Sequence, residues 1–243
     1  MALLLKCGAI FLHIPKTGGS WVTHVLKELD LVQGSIAGKH DSLPRVLYPL
    51  DYLSSAQRLI KQFPLKLVNK LAPPTVSQYN QPNFDINIPY IFCFVRHPLS
   101  WYESWWKYMS ARNWQSWGNE YDYTSSWHPN AILNDFGDGD FNTFVRKVIR
   151  KRPGYVTEFY GWYTQPGVRF IGKQETLVDD LIYVLRQINI KFDEERLKSF
   201  QPKHVSKSPN KPIVWDEELK IEVERLEYAS LIRYGYPTPY SNK

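Results

Sequence analysis

His13-Ile14-Pro15-Lys16-Thr17-Gly18-Gly19-Ser20-Trp21 sets a lysine, two hydroxyls and two adjacent glycines directly after an apolar run. Paired glycines let the backbone turn tightly and aim N–H groups inward, and a helix starting there offers its positive end to an anion. Lys16 adds a movable charge, and Thr17 and Ser20 add hydroxyl donors. Together they read as a phosphate cradle. The glycines alone would serve equally well in a purely structural strand-to-helix turn. The order is not that of a Walker loop, which needs Gly, four residues, then Gly-Lys-Ser or Gly-Lys-Thr. Lys16 precedes the glycines, so nucleoside triphosphate hydrolysis is not supported.

A second segment, Phe94-Val95-Arg96-His97-Pro98, also ends an apolar run, and Ser104 follows Arg96 by eight residues. A guanidinium at a strand tip can make paired hydrogen bonds to a phosphate. Ser104 can reach the same anion only if its helix turns that face back toward the strand end. The histidines are His13, His24, His40, His97, His128 and His204. His13 lies in a strand, His24 on a helix surface, and His97 shapes a turn. His40, in the polar stretch Gly38-Lys39-His40-Asp41-Ser42, is the candidate general base, with Asp41 and Glu103 as rivals. No cluster has metal-ligand spacing, so no metal is expected.

These residues need a scaffold. Residues 8–14, 90–95 and 168–172 are short apolar runs of buried-strand type. Helical spacing follows each: Val22, Val25, Leu26 and Leu29 after the first, a helix from Pro98 to about Ala111 after the second, and Leu177, Leu181, Leu185 and Ile188 after the third. Phe141, Phe144, Val145 and Val148 predict a helix with Asp140 near its start, and a last one runs from Asp216 toward Gly235. Such alternation predicts an α/β fold: a single-domain, P-loop-like three-layer sandwich with a central parallel β-sheet flanked by helices. Ligands of such sheets bind at the carboxyl ends of the strands, where both segments sit. The domain spans 1–243, with a substrate-facing irregular insertion at about 45–88 and an aromatic-rich excursion at about 112–137.

Composition is that of a globular chain: 243 residues, 43% hydrophobic and 22% charged. Lys plus Arg number 30 against 24 Asp plus Glu, a net +6 that favours anionic ligands or else reflects surplus surface lysine. No basic run marks a nucleic-acid arm, so no nucleic-acid partner is expected. Cys7 and Cys93 lie in apolar runs and read as reduced core residues, which fits a cytoplasmic compartment. The start, Met1-Ala2-Leu3-Leu4-Leu5-Lys6, lacks the positive region of a signal peptide, and no apolar segment has the length of a membrane span. The expectation is a soluble protein, luminal only if the chain is a trimmed domain.

Taken whole, Pro-Lys-Thr-Gly-Gly-Ser-Trp at residues 15–21 resembles the 5′-phosphosulfate loop of the PAPS-dependent sulfotransferases (PAPS is 3′-phosphoadenosine-5′-phosphosulfate), and His13–Ser20 resembles the branch of carbohydrate and bacterial members. Arg96 with Ser104 resembles the family's 3′-phosphate segment. Phe170–Leu177 and Tyr234-Gly235-Tyr236 are more loosely similar, and about 45–88 is not similar at all. The resemblance implies PAPS as sulfuryl donor and PAP, the 3′,5′-bisphosphate, as product. Lys16 would stabilise the leaving oxygen, and Thr17, Gly18, Gly19 and Ser20 would hold the 5′-phosphate. Trp21 would stack near adenine, unless it is a core contact of the first helix. A Lys-His pair often stands where Lys39-His40 does, which supports His40 as base. The Arg-Lys-Gly triplet of cytosolic members is missing; Ser206 and Lys207, in the loop 203–211, would cover the nucleotide instead or form a solvated basic loop.

The implied partner is a hydroxyl-bearing acceptor, a carbohydrate or small molecule. Tryptophans 101, 105, 106, 114, 117 and 127 with tyrosines 102, 108, 121 and 123 either stack on it or pack the excursion. The competing readings are a nucleoside- or nucleotide-kinase-like phosphotransferase, to be favoured by tight ATP binding, and a non-catalytic nucleotide- or carbohydrate-binding module, to be excluded by turnover.

Overall fold

The N-terminal apolar residues form a hairpin. β1 (Leu3–Leu5) turns through Lys6, Cys7 and Gly8 into β2 (Ile10–Leu12). A connection this short can join only antiparallel strands. Gly8 takes the left-handed φ of 84° that the turn requires, and its N–H donates to the Leu5 carbonyl at 2.8 Å. The computed structural model that places these elements describes residues 2–36, 40–47, 89–114, 128–200 and 213–238.

The sheet has the order β3-β1-β2-β4-β5, with β3 at Val32–Ser35, β4 at Ile91–Val95 and β5 at Val168–Lys173. β2, β4 and β5 are mutually parallel, in register Ile10↔Ile91 and Leu12↔Cys93, then Cys93↔Ile171 and Val95↔Lys173. β1 is antiparallel to both β2 and β3. The α/β class therefore holds, but the expected parallel sheet is a mixed one. The hairpin also corrects Cys7, which is exposed on its turn, whereas Cys93 is fully buried in β4.

Successive residues of a strand point to opposite faces. Ile10, Leu12, Ile91, Cys93 and Val95 join one apolar cluster, and Phe11, Phe92 and Phe94 another. The phenylalanine face packs against α1 (Gly19–Glu28), α6 (Leu177–Gln187) and α7 (Glu194–Ser199). The other face packs against α3 (Pro98–Ser110), α4 (Phe141–Lys151), α5 (Tyr155–Gly161), α8 (Glu217–Leu226) and α9 (Tyr228–Arg233), while the short α2 (Leu43–Leu47) adds Leu43 and Val46. Trp101, Tyr102 and Trp105 of α3 are fully buried there, so this part of the aromatic cluster is core.

Local signals place the helix starts. Pro98 opens α3, Asp140 accepts from the Thr143 N–H at 2.7 Å, and Asp216 accepts from the N–H groups of Glu218 and Leu219. The single helix expected between Asp216 and Gly235 is instead two, broken at Glu227. The Glu227 carboxylate turns inward and accepts from the Tyr102 hydroxyl (2.8 Å), the Val156 N–H (3.0 Å), and the N–H and hydroxyl of Thr157 (both 2.7 Å). It thereby caps α5, whose own N-cap is Gly154 and whose seven residues carry no sequence signal.

Candidate functional site

β2 and β4 are adjacent and parallel, so the two chemical segments emerge side by side at the carboxyl edge of the sheet. After Leu12 the chain turns through Pro15–Gly18 into α1. Lys16 has φ 69° and Gly18 φ 85°. The other described non-glycine residues with positive φ, Asp30, Asn113, Trp114 and Asn189, all follow a helix; Lys16 stands between a strand and a helix. A left-handed non-glycine residue costs on the order of 1–3 kcal/mol and persists where the surroundings over-determine it, often at ligand sites.

The surroundings here are close. A Cβ on Gly19 would lie 2.2 Å from His13 Cδ2, and one on Gly18 would lie 2.6 Å from Leu177 Cδ2. Glycine is thus needed at 19 for the close approach of the His13 ring and at 18 for the left-handed φ of the turn. The Thr17 hydroxyl donates to the Ile14 carbonyl at 2.9 Å, which directs it to shaping the loop. Ser20 is exposed at the start of α1. Among the described residues α1 has neither a side-chain cap nor an acid in its first turn, so its positive end is not neutralised by its own first turn.

α3 is stitched to this loop. The Trp101 Nε1–H donates to the Pro15 carbonyl at 3.1 Å, and the Lys16 ammonium lies 4.3 Å from the Tyr108 ring centroid. Positions 101, 104 and 108 share one helix face. Ser104 therefore sits on the stripe of α3 that faces the loop, between two residues that touch it.

Arg96 is held at the tip of β4 by Tyr160. The Tyr160 hydroxyl donates to the Arg96 carbonyl at 2.8 Å and accepts from the Arg96 N–H at 3.1 Å. Burial raises the Tyr160 pKa well above its ordinary value, so the phenol keeps the proton it donates. The side chain itself is half-buried, and among the described residues its Nε–H meets no hydrogen-bond acceptor although that atom is shielded from solvent. Beside it, Glu175 accepts from the His97 N–H (2.8 Å) and the Tyr236 hydroxyl (2.9 Å), tying the β4 exit to the C-terminal segment. Burial lowers the His97 pKa, with the carboxylates of Glu175 and Glu103 acting the other way. Lys173, ending β5 beside β4, donates to the Gly235 carbonyl at 2.8 Å.

His40 is also brought to this edge. Its ring lies 5.0 Å from that of His13 and 4.8 Å from that of His128, and the Tyr163 hydroxyl donates to its carbonyl at 2.6 Å. His13, assigned to a strand interior by the sequence, lies just past β2 and is 5% exposed. His128 stands 5.2 Å from the Trp105 ring. The His13–His40–His128 grouping has no signal in the sequence, since its members are far apart along the chain. Among the described residues no group of three or more His, Cys, Asp or Glu is arranged to hold a metal ion.

Trp21 takes the core position. It is 5% exposed in the phenylalanine-face cluster, and its Nε1–H donates to the Phe200 carbonyl at 3.3 Å. Little of the indole face remains for a base to stack on. Ser206 and Lys207, with the loop 203–211, lie outside the described residues, as do 48–88 and Trp117, Tyr121, Tyr123 and Trp127. Among the described residues no helix is long and apolar enough to cross a membrane. Comparison with protein-family models, with curated proteins and with solved structures returned no match.

Proposed function

We propose that the chain is a PAPS-dependent sulfotransferase that transfers a sulfuryl group to a hydroxyl acceptor, with a carbohydrate as the favoured class. The observation that carries the reading is the meeting of two anion-binding features at one sheet edge. One is the strained Lys16 loop feeding the uncapped start of α1. The other is Arg96, clamped at the tip of the neighbouring strand with a shielded Nε–H that no acceptor among the described residues meets. A donor with separate 5′ and 3′ phosphates has one group for each. A P-loop-like three-layer arrangement around the nucleotide is part of the same proposal.

Sulfuryl transfer, like phosphoryl transfer, asks the protein chiefly to position and to neutralise charge. Loop amides and the α1 terminus hold the 5′-phosphate, Arg96 and Ser104 the 3′-phosphate. His40 removes the acceptor's proton as the acceptor oxygen bonds to sulfur. The bond from sulfur to the 5′-phosphate oxygen breaks in line, and Lys16 neutralises the charge on that oxygen as PAP leaves. General base catalysis of this kind supplies roughly 10²–10⁴ in rate.

The test is calorimetric binding of PAP to the wild type, Lys16→Ala and Arg96→Ala, with ATP as control, followed by an acceptor screen that includes His40→Ala. Micromolar PAP binding that Arg96→Ala abolishes and ATP does not match supports the assignment. A preference for ATP, or no binding, overturns it.

A further inference from the structure

We infer that His128 is a positioning residue for His40, fixing the orientation of the imidazole that removes the acceptor's proton; the inference rests on the sulfotransferase reading above.

Three observations carry it. First, the His128 ring contacts the His40 ring edge-to-face, with centroids 4.8 Å apart and planes at 61°, and His13 makes a similar contact at 5.0 Å and 74°. His40, half-buried, is thus flanked by two rings that are 6% and 5% exposed. Second, His128 is itself held. Its Nδ1 accepts from the Asn130 backbone N–H at 3.1 Å, which makes the neutral ring the Nε2–H tautomer. Asn130 is fully buried, and its Oδ1 accepts from the Tyr155 hydroxyl at 2.9 Å. Third, the Trp105 ring backs His128 at 5.2 Å, and Trp105 is anchored in the core and stacked on Trp101, whose indole N–H holds the phosphate loop.

The same rigid face of α3 therefore supports both the loop that carries Lys16 and the imidazole beside His40. A general base must lie within hydrogen-bond reach of the proton it takes, and a side chain on a loop holds that geometry only when packing locks its rotamer. His40 precedes α2 in a connecting segment. Its carbonyl is fixed by Tyr163 and its ring by the two histidines. His13 is already committed to the close approach of Gly19, so His128 is the neighbour whose removal alters His40 with least effect on the phosphate loop.

The experiment compares wild type with His128→Asn and His128→Gln in the full chain. Asn keeps an acceptor for the Asn130 N–H but withdraws the ring from His40; Gln carries a nitrogen back out toward the Nε2 position. A base displaced by about 1 Å loses on the order of 10²-fold in rate. We expect His128→Asn to lower kcat by ~10- to 100-fold while acceptor KM and PAP affinity stay within about twofold, and Gln to recover part of the loss. Imidazole proton–nitrogen correlation spectra give a readout that needs no turnover. In the wild type His128 is the Nε2–H tautomer, and in His128→Asn the His40 ring signals move while those of His24, half-buried in α1 against Phe200, do not. An Nδ1–H tautomer at His128, unmoved His40 signals, or a kcat within twofold of wild type overturns the inference. Absence of transfer and of PAP binding in the wild type overturns the sulfotransferase reading instead, and the spectra then decide the positioning by themselves.

Discussion

Gly19→Ala probes the close approach on which the loop depends. The added methyl would meet three atoms of the His13 ring, Cδ2 at 2.2 Å, Nε2 at 2.6 Å and Cγ at 2.8 Å. Carbon atoms rest at about 3.5–4.0 Å, so the ring or the start of α1 must move by about 1 Å. The ring has little room to do so: Phe11 stacks against it at 6.2 Å and His40 abuts it at 5.0 Å. Overpacking of this kind costs about 1–3 kcal/mol. For a domain of this size each kcal/mol lowers Tm by about 2–4 °C, so thermal unfolding should show a fall of about 2–12 °C. Two further variants isolate the cause. Gly161→Ala, in α5 with nothing within 4 Å, should be neutral or raise stability by up to about 1 kcal/mol. Gly8→Ala also meets nothing within 4 Å but has φ +84°, and should lose only the ~1–2 kcal/mol of left-handed strain. If Gly19→Ala melts with the wild type, the loop does not lie against His13 and the site geometry is wrong.

Trp21→Phe should cost about 1–2 kcal/mol of stability by stripping the Phe200 carbonyl of its donor, yet change PAP affinity by less than about fivefold. A larger loss of affinity, equivalent to the ~1–3 kcal/mol of a stacked base, would restore the adenine-stacking role. Burial pushes the Cys93 thiol up to about 12 while Cys7 is exposed, so a thiol reagent at pH 8 should label Cys7 alone in the folded chain and both after denaturation; native labelling of Cys93 would contradict its place in β4. Burial raises the Glu227 carboxyl above 4.5, so the folded state holds that proton more tightly than the unfolded chain does. Its contribution is therefore greatest below 4.5 and declines as pH rises through the raised value; melting curves against pH should show this decline in the wild type and not in Glu227→Gln, and identical slopes would refute it.

Much of the scaffold is legible because it is decided within a few residues. The runs read at 8–14, 90–95 and 168–172 match β2, β4 and β5 to within two residues at each end, and the N-caps Asp140 and Asp216, Pro98 at the start of α3 and Gly18-Gly19 before α1 are likewise local choices of backbone geometry that recur in the structure. The polar residues that could meet an anion, Lys16 and Arg96, follow from their places at strand ends, because parallel neighbours must deliver their carboxyl ends to one edge. What the sequence left open is what depends on partners far along the chain. The burial of Trp21 against Phe200 needed a contact from the far end of the chain, whereas the hairpin that makes the sheet mixed, and with it the exposure of Cys7, turns on the short connection between Leu5 and Ile10, where the sequence predicts buried strand instead. Glu227 falls inside the span read as one helix until Tyr102, Val156 and Thr157 surround its carboxylate and the helix breaks there. His13, His40 and His128 read as unrelated residues until the turn after β2, the approach to α2 and the segment before Asn130 converge. Periodicity and capping act over one or two turns of chain, whereas the mutual placement of side chains is set by how the helices pack on the sheet, and only the tertiary structure carries that information.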